Sequence, residues 1–281
     1  MGTGHDTAEH DTTEHDTTAA RVLDAHAALR TGTPLVQCLT NYVAMDVTAN
    51  VLLAAGASPA MVHAQEEAAE FARLASAVSV NIGTLSPPWV AGMHLAVEAA
   101  VERGIPWVLD PVAVGATPYR TRAATGLLER SPTVVRANAS EVLALASSAG
   151  ATGSRGVDST ATTDQARDAA RQLARSAGCV VAMTGERDLV TDGERDVVVH
   201  GGDPRMPQVT ALGCATSSLV AALCAVHEDA LEAAVAALAV MAVAGARAGV
   251  LAQGPGTLRV HLVDELAGLD AQRLGDGLRL S

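Results

Sequence analysis

Blocks of apolar residues separated by polar turns predict strands that alternate with helices along this chain. Short, nearly continuous apolar runs are typical of strands that are covered on both faces of a parallel sheet. The predicted strands lie in residues 35–40, 55–62, 77–84, 105–111, 133–138 and 179–185, with 187–191 and 196–200 as a hairpin. A further strand is expected to end near Thr210, before a turn at Gly213.

Segments with apolar residues three and four positions apart predict helices between these strands. Ser86 followed by Pro87 indicates one helix start, and the spacing of Asp229 and Glu232 indicates a capping box at another. One predicted helix runs from about residue 18 to Arg30, and another follows Asn41 and ends at Leu53. The others cover residues 65–75, 86–103, 139–149, 161–177, 213–226, 230–252 and 257–272. The alternation predicts an α/β protein with a mostly parallel central sheet and helices on both faces.

The chain divides into a short tail and one predicted domain. Residues 1–17 repeat a His-Asp unit with threonines, and they carry five acids and no base. Such a polar, aperiodic segment predicts a disordered tail, and its histidines have no fixed geometry that would favour a metal. Residues 18–281 are expected to form a single domain.

Composition excludes some classes of protein. Hydrophobic residues make up 49% of the chain and aromatic residues only 2%, so the core must consist of alanine, valine and leucine. The net charge of −12 argues against a nucleic-acid partner. The Ala-rich run 233–246 is too short for a membrane span and indicates a buried helix, so no membrane partner is expected.

Two amino-acid counts bear on mechanism and location. The chain contains no lysine, which excludes a P-loop, so phosphate must be held by arginine, a helix end or a metal. The four cysteines form no CxxC pair, and no signal peptide precedes them. They therefore indicate reduced thiols and a cytoplasmic protein.

Polar residues collect where the predicted strands end, which is where α/β sheets bind ligands. Their chemical types fit phosphoryl transfer, which needs a carboxylate-held metal, a cation or dipole at the phosphates, and an oriented hydroxyl. The strand-end residues are Asn41, Met61, Gly83, Thr84, Asp110, Arg136, Asn138, Thr184, Gly185 and residues 210–214.

The stretch 207–224 is the one around which the prediction is organised. A glycine turn at Gly213 followed by a helix presents free backbone N–H groups to an anion such as phosphate. We expect the amides of residues 213–217 to hold the transferring phosphoryl group. Cys214 would lie in the same field, which lowers the pKa of a thiol. The alternative is an ordinary helix start with an inert buried cysteine.

Several of the strand-end residues have a structural alternative. Asp110 either holds Mg²⁺ through water or is a turn residue before proline. Glu141 stands three residues after Asn138, so it either lies near the metal or closes a capping box. Arg136 binds an anion or forms a salt bridge. Two further choices stay open: Met61 is a pocket wall or core, and Thr184 binds phosphate or shapes a turn.

The motifs LTNYVAMDVTANVLLAAGASPAMVHAQEE, VNIGTLS, VLDPVAVGATPYRT, RANASE, VAMTGERDLVTDG and QVTALGC, in this order, resemble the hydroxyethylthiazole kinase family. The resemblance covers about residues 18–265 and implies a ribokinase-like fold. It also implies phosphorylation of 4-methyl-5-(2-hydroxyethyl)thiazole by ATP with Mg²⁺ in thiamine salvage. Members are typically homotrimers with the active site at the subunit boundary.

The resemblance assigns roles residue by residue. Cys214 matches the position where related sugar kinases carry an aspartate base, and Gly213 belongs to the same catalytic turn. The substrate-side residues implied are Met61, Asn41, Val43, Gly83 and Ala211; the ATP-side residues are Arg136 and Thr184; the residues around the metal are Asp110 and Glu141.

This chain departs from the family pattern at glycines. Ala211 replaces the first glycine of the usual Gly-x-Gly-Cys turn, where the glycine backbone lies against the substrate. Ala113 and Val114 replace two glycines of DPVGAGATP, and Ala137 replaces the glycine of Arg-Gly-Asn. Where a family glycine has a positive φ angle, we expect strain at the alanine.

Three alternative functions remain compatible with the sequence. One is a related kinase for another small alcohol, such as a pyrimidine. Another is a nucleotide-binding regulator that has lost activity through the added side chains. The third is a hydrolase with Cys214 as its nucleophile, although no histidine lies near Cys214 in sequence.

Overall fold

A computed structural model of the chain describes residues 6–150 and 163–281. Its centre is one eight-stranded sheet with the order β2-β1-β3-β4-β5-β6-β7-β8. The strands from β2 to β6 are parallel, and β7 and β8 are antiparallel additions at one edge. The strands are β1 Leu35–Leu39, β2 Ser58–Ala60, β3 Ala77–Asn81, β4 Trp107–Asp110, β5 Val134–Asn138, β6 Val180–Thr184, β7 Asp188–Thr191 and β8 Asp196–Val199.

Helices cover both faces of the sheet, as predicted. The first apolar cluster joins α1, α2, α8, α9, α10 and α11 to one face, and the second joins α3 to α7 to the other. The helices are α1 Asp6–Gly32, α2 Met45–Ala55, α3 Ala68–Ala72, α4 Pro87–Arg103, α5 Pro118–Leu128, α6 Ala139–Ser148, α7 Thr163–Ala177, α8 Leu212–Cys224, α9 Ala230–Leu251, α10 Pro255–Ala267 and α11 Ala271–Gly277.

Helix caps explain one confirmed start and one helix that the prediction missed. The Ser86 side chain accepts the Trp89 N–H and begins α4, as the Ser-Pro pair predicted. Thr117 and Pro118 repeat the same signal, and the Thr117 side chain accepts the Arg120 N–H at the start of α5. No helix is predicted over residues 118–128, because polar residues such as Thr121 interrupt the apolar spacing.

Helix α9 is the apolar centre of the first cluster. Among the described residues it is the one helix long and apolar enough to cross a membrane, with a mean hydropathy of 2.0. The helix has 22 residues and is therefore longer than the apolar run 233–246. However, 72% of its most apolar 18-residue window is buried inside the protein, as expected for a core helix. Asp229 accepts two N–H groups at its start, while the Glu232 carboxylate binds Arg21 and does not close the predicted capping box.

Three element boundaries differ from the prediction. The segment before Gly213 forms a 3₁₀ turn at Met206–Gln208 where a strand was expected, because Pro207 has no N–H to give to a sheet. Gly268 interrupts the expected last helix, which is therefore two helices. Helix α1 begins at Asp6, before the predicted start near residue 18, since extending an existing helix costs little. The predicted disordered tail falls partly on residues 1–5, which lie outside the described residues.

Two of the alanines that replace family glycines have left-handed backbone conformations. The φ angle is +56° at Ala113 and +70° at Ala211. A Cβ atom is strained in this region, which glycine occupies freely. The expected strain is therefore present at both positions. Ala211 is the N-cap of α8, so this strain lies at the helix end that was predicted to bind phosphate.

We expect Ala113→Gly to raise the free energy of unfolding by about 1 kcal/mol, because it removes strain at an exposed position where the methyl group buries little. Ala116→Gly is the matched control, since Ala116 is a nearby exposed alanine that is not among the positive-φ residues. That control should lower the free energy of unfolding. Urea unfolding of the three proteins measures the difference, and equal destabilisation by both changes would contradict it.

Candidate active site

A chain of hydrogen bonds links the ends of three neighbouring strands. Asn81 and Asp110 are register partners at the ends of β3 and β4. The Asn81 side chain donates to Asp110 Oδ2 at 2.7 Å and accepts from Asn41 Nδ2 at 2.9 Å. Asn41 Nδ2 also donates to Cys214 Sγ at 3.3 Å. The predicted residues Asn41, Asp110 and Cys214 therefore lie in one network, with Asn81 as its central member.

Asp110 is a fully buried carboxylate with one oxygen left free. Its Oδ2 atom also accepts the Ser217 hydroxyl at 2.8 Å, while Oδ1 has no hydrogen-bond partner among the described residues. Burial raises the pKa of Asp110 to about 6, and the nearby Glu141 adds to the rise. Arg136 and the bonds from Ser217 and Asn81 act in the opposite direction. Oδ1 is thus an acceptor in need of a ligand.

The prediction of a lowered Cys214 pKa is wrong. Burial, together with the negative charge of Asp110, raises the pKa of this thiol to about 11. The hydrogen bonds from Asn41 and Asn81 and the charge of Arg136 act against this rise. The helix end alone suggested a reactive thiolate, but desolvation and the neighbouring carboxylate dominate. Cys214 is therefore a neutral thiol near pH 7.

Arg136 reaches the start of α8 from β5. Its Nη2 atom donates to Thr184 Oγ1 at 2.5 Å, and its Nε atom has no partner among the described residues. A Cβ atom at Gly213 would lie 2.6 Å from Arg136 Nη1, so glycine is required for this approach. No carboxylate pairs with Arg136 among the described ion pairs, which favours its interpretation as an anion-binding residue.

The free amides at this helix end overlap only partly with those predicted. Helix α8 begins at Leu212, and the Ala215 N–H already bonds to the Ala211 carbonyl. The amides of residues 212–214 are therefore the unpaired donors, and those of residues 215–217 belong to the helix ladder. The candidate anion site therefore consists of the amides of Leu212, Gly213 and Cys214, and the Ser217 hydroxyl donates to Asp110.

A cavity of about 780 Å³ lies beside Arg136 and the start of α8. This volume suits a nucleotide-sized ligand. At one end it is lined by Arg136, Thr184 and Gly213, which are the predicted phosphate-side residues. Its other lining residues include the apolar Pro204, Met206, Val209, Leu238 and Met241. The acidic residues Glu186, Asp188 and Asp203 also line it, so the cavity combines charged residues of both signs with apolar ones.

Glu141 forms the capping box that was its structural alternative. Its Oε2 atom accepts the Asn138 N–H at 2.9 Å, and the Asn138 side chain accepts the Glu141 N–H. Oε1 accepts the Ala113 N–H at 2.8 Å, which holds the loop after β4. Both oxygens already have backbone donors, so Glu141 contributes charge near Asp110 and has limited capacity as a direct ligand.

The oxygen donors at the strand ends fit a magnesium ion. No group of three or more His, Cys, Asp or Glu side chains among the described residues forms a ready metal cage. Magnesium usually keeps several waters and takes one or two protein carboxylates plus phosphate oxygens. The unpartnered Oδ1 of Asp110 meets this requirement, with the charge of Glu141 in support.

The predicted substrate-side residues are only partly brought together. Gly83 packs on Asn41, since a Cβ atom there would lie 2.6 Å from Asn41 Nδ2. The Val43 N–H donates to Asn41 Oδ1, while the Val43 side chain is 60% exposed. Met61 is half-buried and packs against the first apolar cluster. Its interpretation as core is thereby supported, and a contact with substrate stays a prediction.

The sequence interpretation missed three residues that shape this site. Asn81 ends a buried strand with a polar side chain, and Ser217 lies one helical turn after Gly213; these were the available signals. Arg120 donates to the carbonyls of Ile82 and Gly83, both at 2.6 Å, and to that of Val112 at 3.0 Å. It joins the loops after β3 and β4, and no sequence spacing indicated this.

Because the pKa of Asp110 is raised, the difference in stability between wild type and Asp110→Asn should depend on pH. An unfolded Asp titrates near pH 4, whereas folded Asp110 titrates at about 6. Between these values the folded state binds more protons, so its stability falls as pH rises. The Asp110→Asn variant has no carboxylate here and does not lose this stability. The free energy of unfolding of the variant minus that of wild type should therefore increase by about 2–3 kcal/mol between pH 3.5 and pH 7.5. Urea unfolding in EDTA measures this, and a pH-independent difference would contradict the Asp110 assignment.

Comparison with known sequences identifies relatives over nearly the whole chain. The sequence model of the hydroxyethylthiazole kinase family matches residues 27–272. A hydroxyethylthiazole kinase of Rhizobium rhizogenes is 52% identical over 254 residues, which is 90% of this chain and 94% of that protein. One of Gemmatimonas aurantiaca is 54% identical over 258 residues, which is 92% of each protein.

Solved structures show the same relationship as the sequence comparison. The hydroxyethylthiazole kinase of Pyrococcus horikoshii superposes with a TM-score of 0.86 at 38% identity, covering 92% of this chain and 98% of that chain. An ADP complex of Bacillus subtilis pyridoxal kinase superposes with a TM-score of 0.58 at 17% identity, covering 75% of this chain and 91% of that chain. This similarity bears on the fold alone. The predicted ribokinase-like α/β fold is confirmed, and the chain belongs to the hydroxyethylthiazole kinase family.

Proposed function

We propose that this protein transfers the γ-phosphoryl group of ATP to the alcohol of 4-methyl-5-(2-hydroxyethyl)thiazole. Membership in the hydroxyethylthiazole kinase family supports the reaction. The observation that carries it is the convergence of three groups at one sheet edge. Arg136, the free amides at the start of α8 and the unpartnered Oδ1 of Asp110 all lie there, beside a nucleotide-sized cavity.

ATP would occupy the 780 Å³ cavity with its base against the apolar wall. Its phosphates would lie toward Arg136 and Thr184, and the amides of residues 212–214 would bind the transferring phosphoryl oxygens. Because the chain has no lysine, this helix end and one guanidinium must supply the charge stabilisation that other kinases obtain from an ammonium group.

Magnesium fits the same arrangement. Asp110 Oδ1 would hold the ion, with Glu141 contributing negative charge nearby. When bound, the ion neutralises charge on the phosphate oxygens. The Asn81 amide and the Ser217 hydroxyl fix the other oxygen of Asp110, so the free oxygen is held in one orientation.

The alcohol would lie on the other side of Cys214, near Asn41, Gly83, Val43 and Met61, with Ala211 at its border. The Asn41 amide positions the Cys214 thiol, which would contact the substrate hydroxyl. A thiol with a pKa of about 11 is a poor base at neutral pH. Phosphoryl transfer depends mainly on positioning and charge stabilisation, so removing Cys214 should cost less than the 10²–10⁴-fold typical of a general base.

The remaining assignments concern assembly and location. We propose a homotrimer with active sites at the subunit boundary, which would cover the exposed side chains of Tyr42 and Val43 beside Asn41. We also propose a cytoplasmic protein acting in thiamine salvage, built as a single domain. A hydrolase with Cys214 as nucleophile is disfavoured, because burial raises the thiol pKa and its described partners are amides.

The decisive assay measures ADP release from ATP and Mg²⁺ with and without the thiazole alcohol. We expect alcohol-dependent ADP release and a phosphorylated thiazole product. A hydroxymethylpyrimidine in place of the thiazole tests the related-kinase alternative. Tight ATP binding without ADP release for any alcohol would contradict the proposal and favour the inactive regulator.

Gly213→Ala tests the anion site. The added Cβ would displace the Arg136 guanidinium from the start of α8, so we expect kcat/KM to fall by about 100-fold or more. Gly185→Ala is the matched control, because Gly185 lines the same cavity but a Cβ there has only an ordinary contact at 3.6 Å. Its kcat/KM should stay within about threefold of wild type. Equal losses in both variants would contradict the assignment.

A further inference from the structure

Three rings form an aromatic cluster on the alcohol side of the site: Tyr42, His63 and Trp89. The Tyr42 ring meets Trp89 edge-on, with centroids 4.5 Å apart and an interplanar angle of 89°. The His63 ring stacks on Trp89 at 4.2 Å and 13°. Trp89 is therefore the centre of the cluster, and both contacts have geometries that aromatic pairs favour.

Each ring belongs to a different turn after one of three neighbouring strands. Tyr42 follows β1 and lies between Asn41 and Val43. His63 follows β2, two residues after Met61. Trp89 lies in the first turn of α4, in the segment that follows β3 and Gly83. The cluster thus connects the three turns that carry the proposed substrate-side residues.

Additional contacts tie the same turns together. The Tyr42 N–H donates to Thr84 Oγ1 at 3.3 Å, which joins the turns after β1 and β3. A Cβ atom at Gly92 would lie 2.5 Å from the His63 carbonyl oxygen, so α4 lies directly against the turn after β2. The rings are therefore part of a close-packed junction and not three isolated surface groups.

The cluster is poorly explained as core packing alone. Trp89 is only 4% exposed, yet its Nε1 atom has no hydrogen-bond partner among the described residues, and neither has His63 Nδ1. Buried, unpaired polar atoms are unfavourable, but the core residue Trp107 also has an unpaired Nε1 atom, so it is the ring contacts between three turns that distinguish this cluster from core packing. The chain has only five Phe, Trp and Tyr residues, and two of them are placed here. Rigid, flat side chains at this junction therefore indicate a positioning role.

We propose that Tyr42, His63 and Trp89 are positioning residues that fix the relative placement of the three alcohol-side turns and so determine which alcohol the enzyme accepts. This proposal rests on the proposed function. The rings act through Asn41, Gly83 and Met61, and they leave the nucleotide side of the site unchanged. Loss of the cluster should therefore weaken alcohol binding selectively.

Kinetics of three variants test the selectivity. Trp89→Leu should raise KM for the thiazole alcohol by about tenfold, since two ring contacts are lost, while KM for ATP stays within about twofold. Trp89→Phe keeps a ring and should restore most of the alcohol affinity. Tyr42→Leu removes the edge-on ring contact with Trp89, and it should raise KM for the alcohol by about threefold, with the oligomeric state unchanged.

Trp107→Phe is the matched control, because Trp107 is the other tryptophan and is buried at the start of β4, away from the strand ends. It should lower stability without changing KM for the alcohol. Parallel increases of both KM values in Trp89→Leu, or failure of Trp89→Phe to restore alcohol affinity, would overturn the proposal.

Amide hydrogen exchange provides a readout that needs no substrate. In Trp89→Leu, exchange should accelerate in residues 41–44, 61–64 and 83–86 together, and it should recover in Trp89→Phe. Acceleration confined to the start of α4 would overturn the positioning role. If the wild type phosphorylates no thiazole alcohol, the proposed function fails, but the exchange result still decides whether the cluster couples the three turns.

Discussion

This site depends on the hydrogen bonds that Asn81 and Ser217 donate to the buried carboxylate of Asp110. A charged group with no solvent exposure is unfavourable unless the protein supplies partners, and here β3 supplies Asn81 and α8 supplies Ser217. Both partners bind the same oxygen. The second oxygen therefore remains unpaired at the point where the strands end and α8 begins, and this is where we propose that a metal-bound phosphate lies.

The rest of the site divides around Asp110. On one side, Arg136, Thr184 and the free amides of α8 face a cavity with an apolar wall, which suits a nucleotide. On the other side, the Asn81–Asn41–Cys214 hydrogen bonds lead to the turns after β1, β2 and β3. Without lysine, the cationic part of the site consists of a guanidinium placed over a glycine, and the helix end completes it. The close approach of Arg136 to Gly213 is consequently as important as the charge itself.

Much of this arrangement could be predicted from residue patterns, because buried parallel strands are nearly continuous apolar runs and their carboxyl ends meet at one edge. Asn41, Asp110, Arg136 and Cys214 were placed together on this basis, and they do lie together. The Cys214 pKa could not be predicted, since it depends on burial and on Asp110, which is more than a hundred residues away in sequence. Ser217 and Arg120 were missed for the same reason: their partners are set by the packing of α8 and α5. The capping box at Glu232 failed because a distant residue, Arg21, takes its carboxylate.

Phosphoryl transfer at this site requires that Asp110 Oδ1 hold a metal ion together with the nucleotide. Electron paramagnetic resonance of Mn²⁺, in the presence of a non-hydrolysable ATP analogue, measures this directly in wild type, Asp110→Asn and Asp188→Asn. Asp188 is a suitable control, because it lines the cavity and its carboxylate accepts the Gly185 N–H. We predict that Asp110→Asn weakens protein-bound Mn²⁺ by about tenfold or more, while Asp188→Asn stays within about twofold of wild type. Unchanged Mn²⁺ binding in Asp110→Asn would show that Asp110 is not a metal ligand.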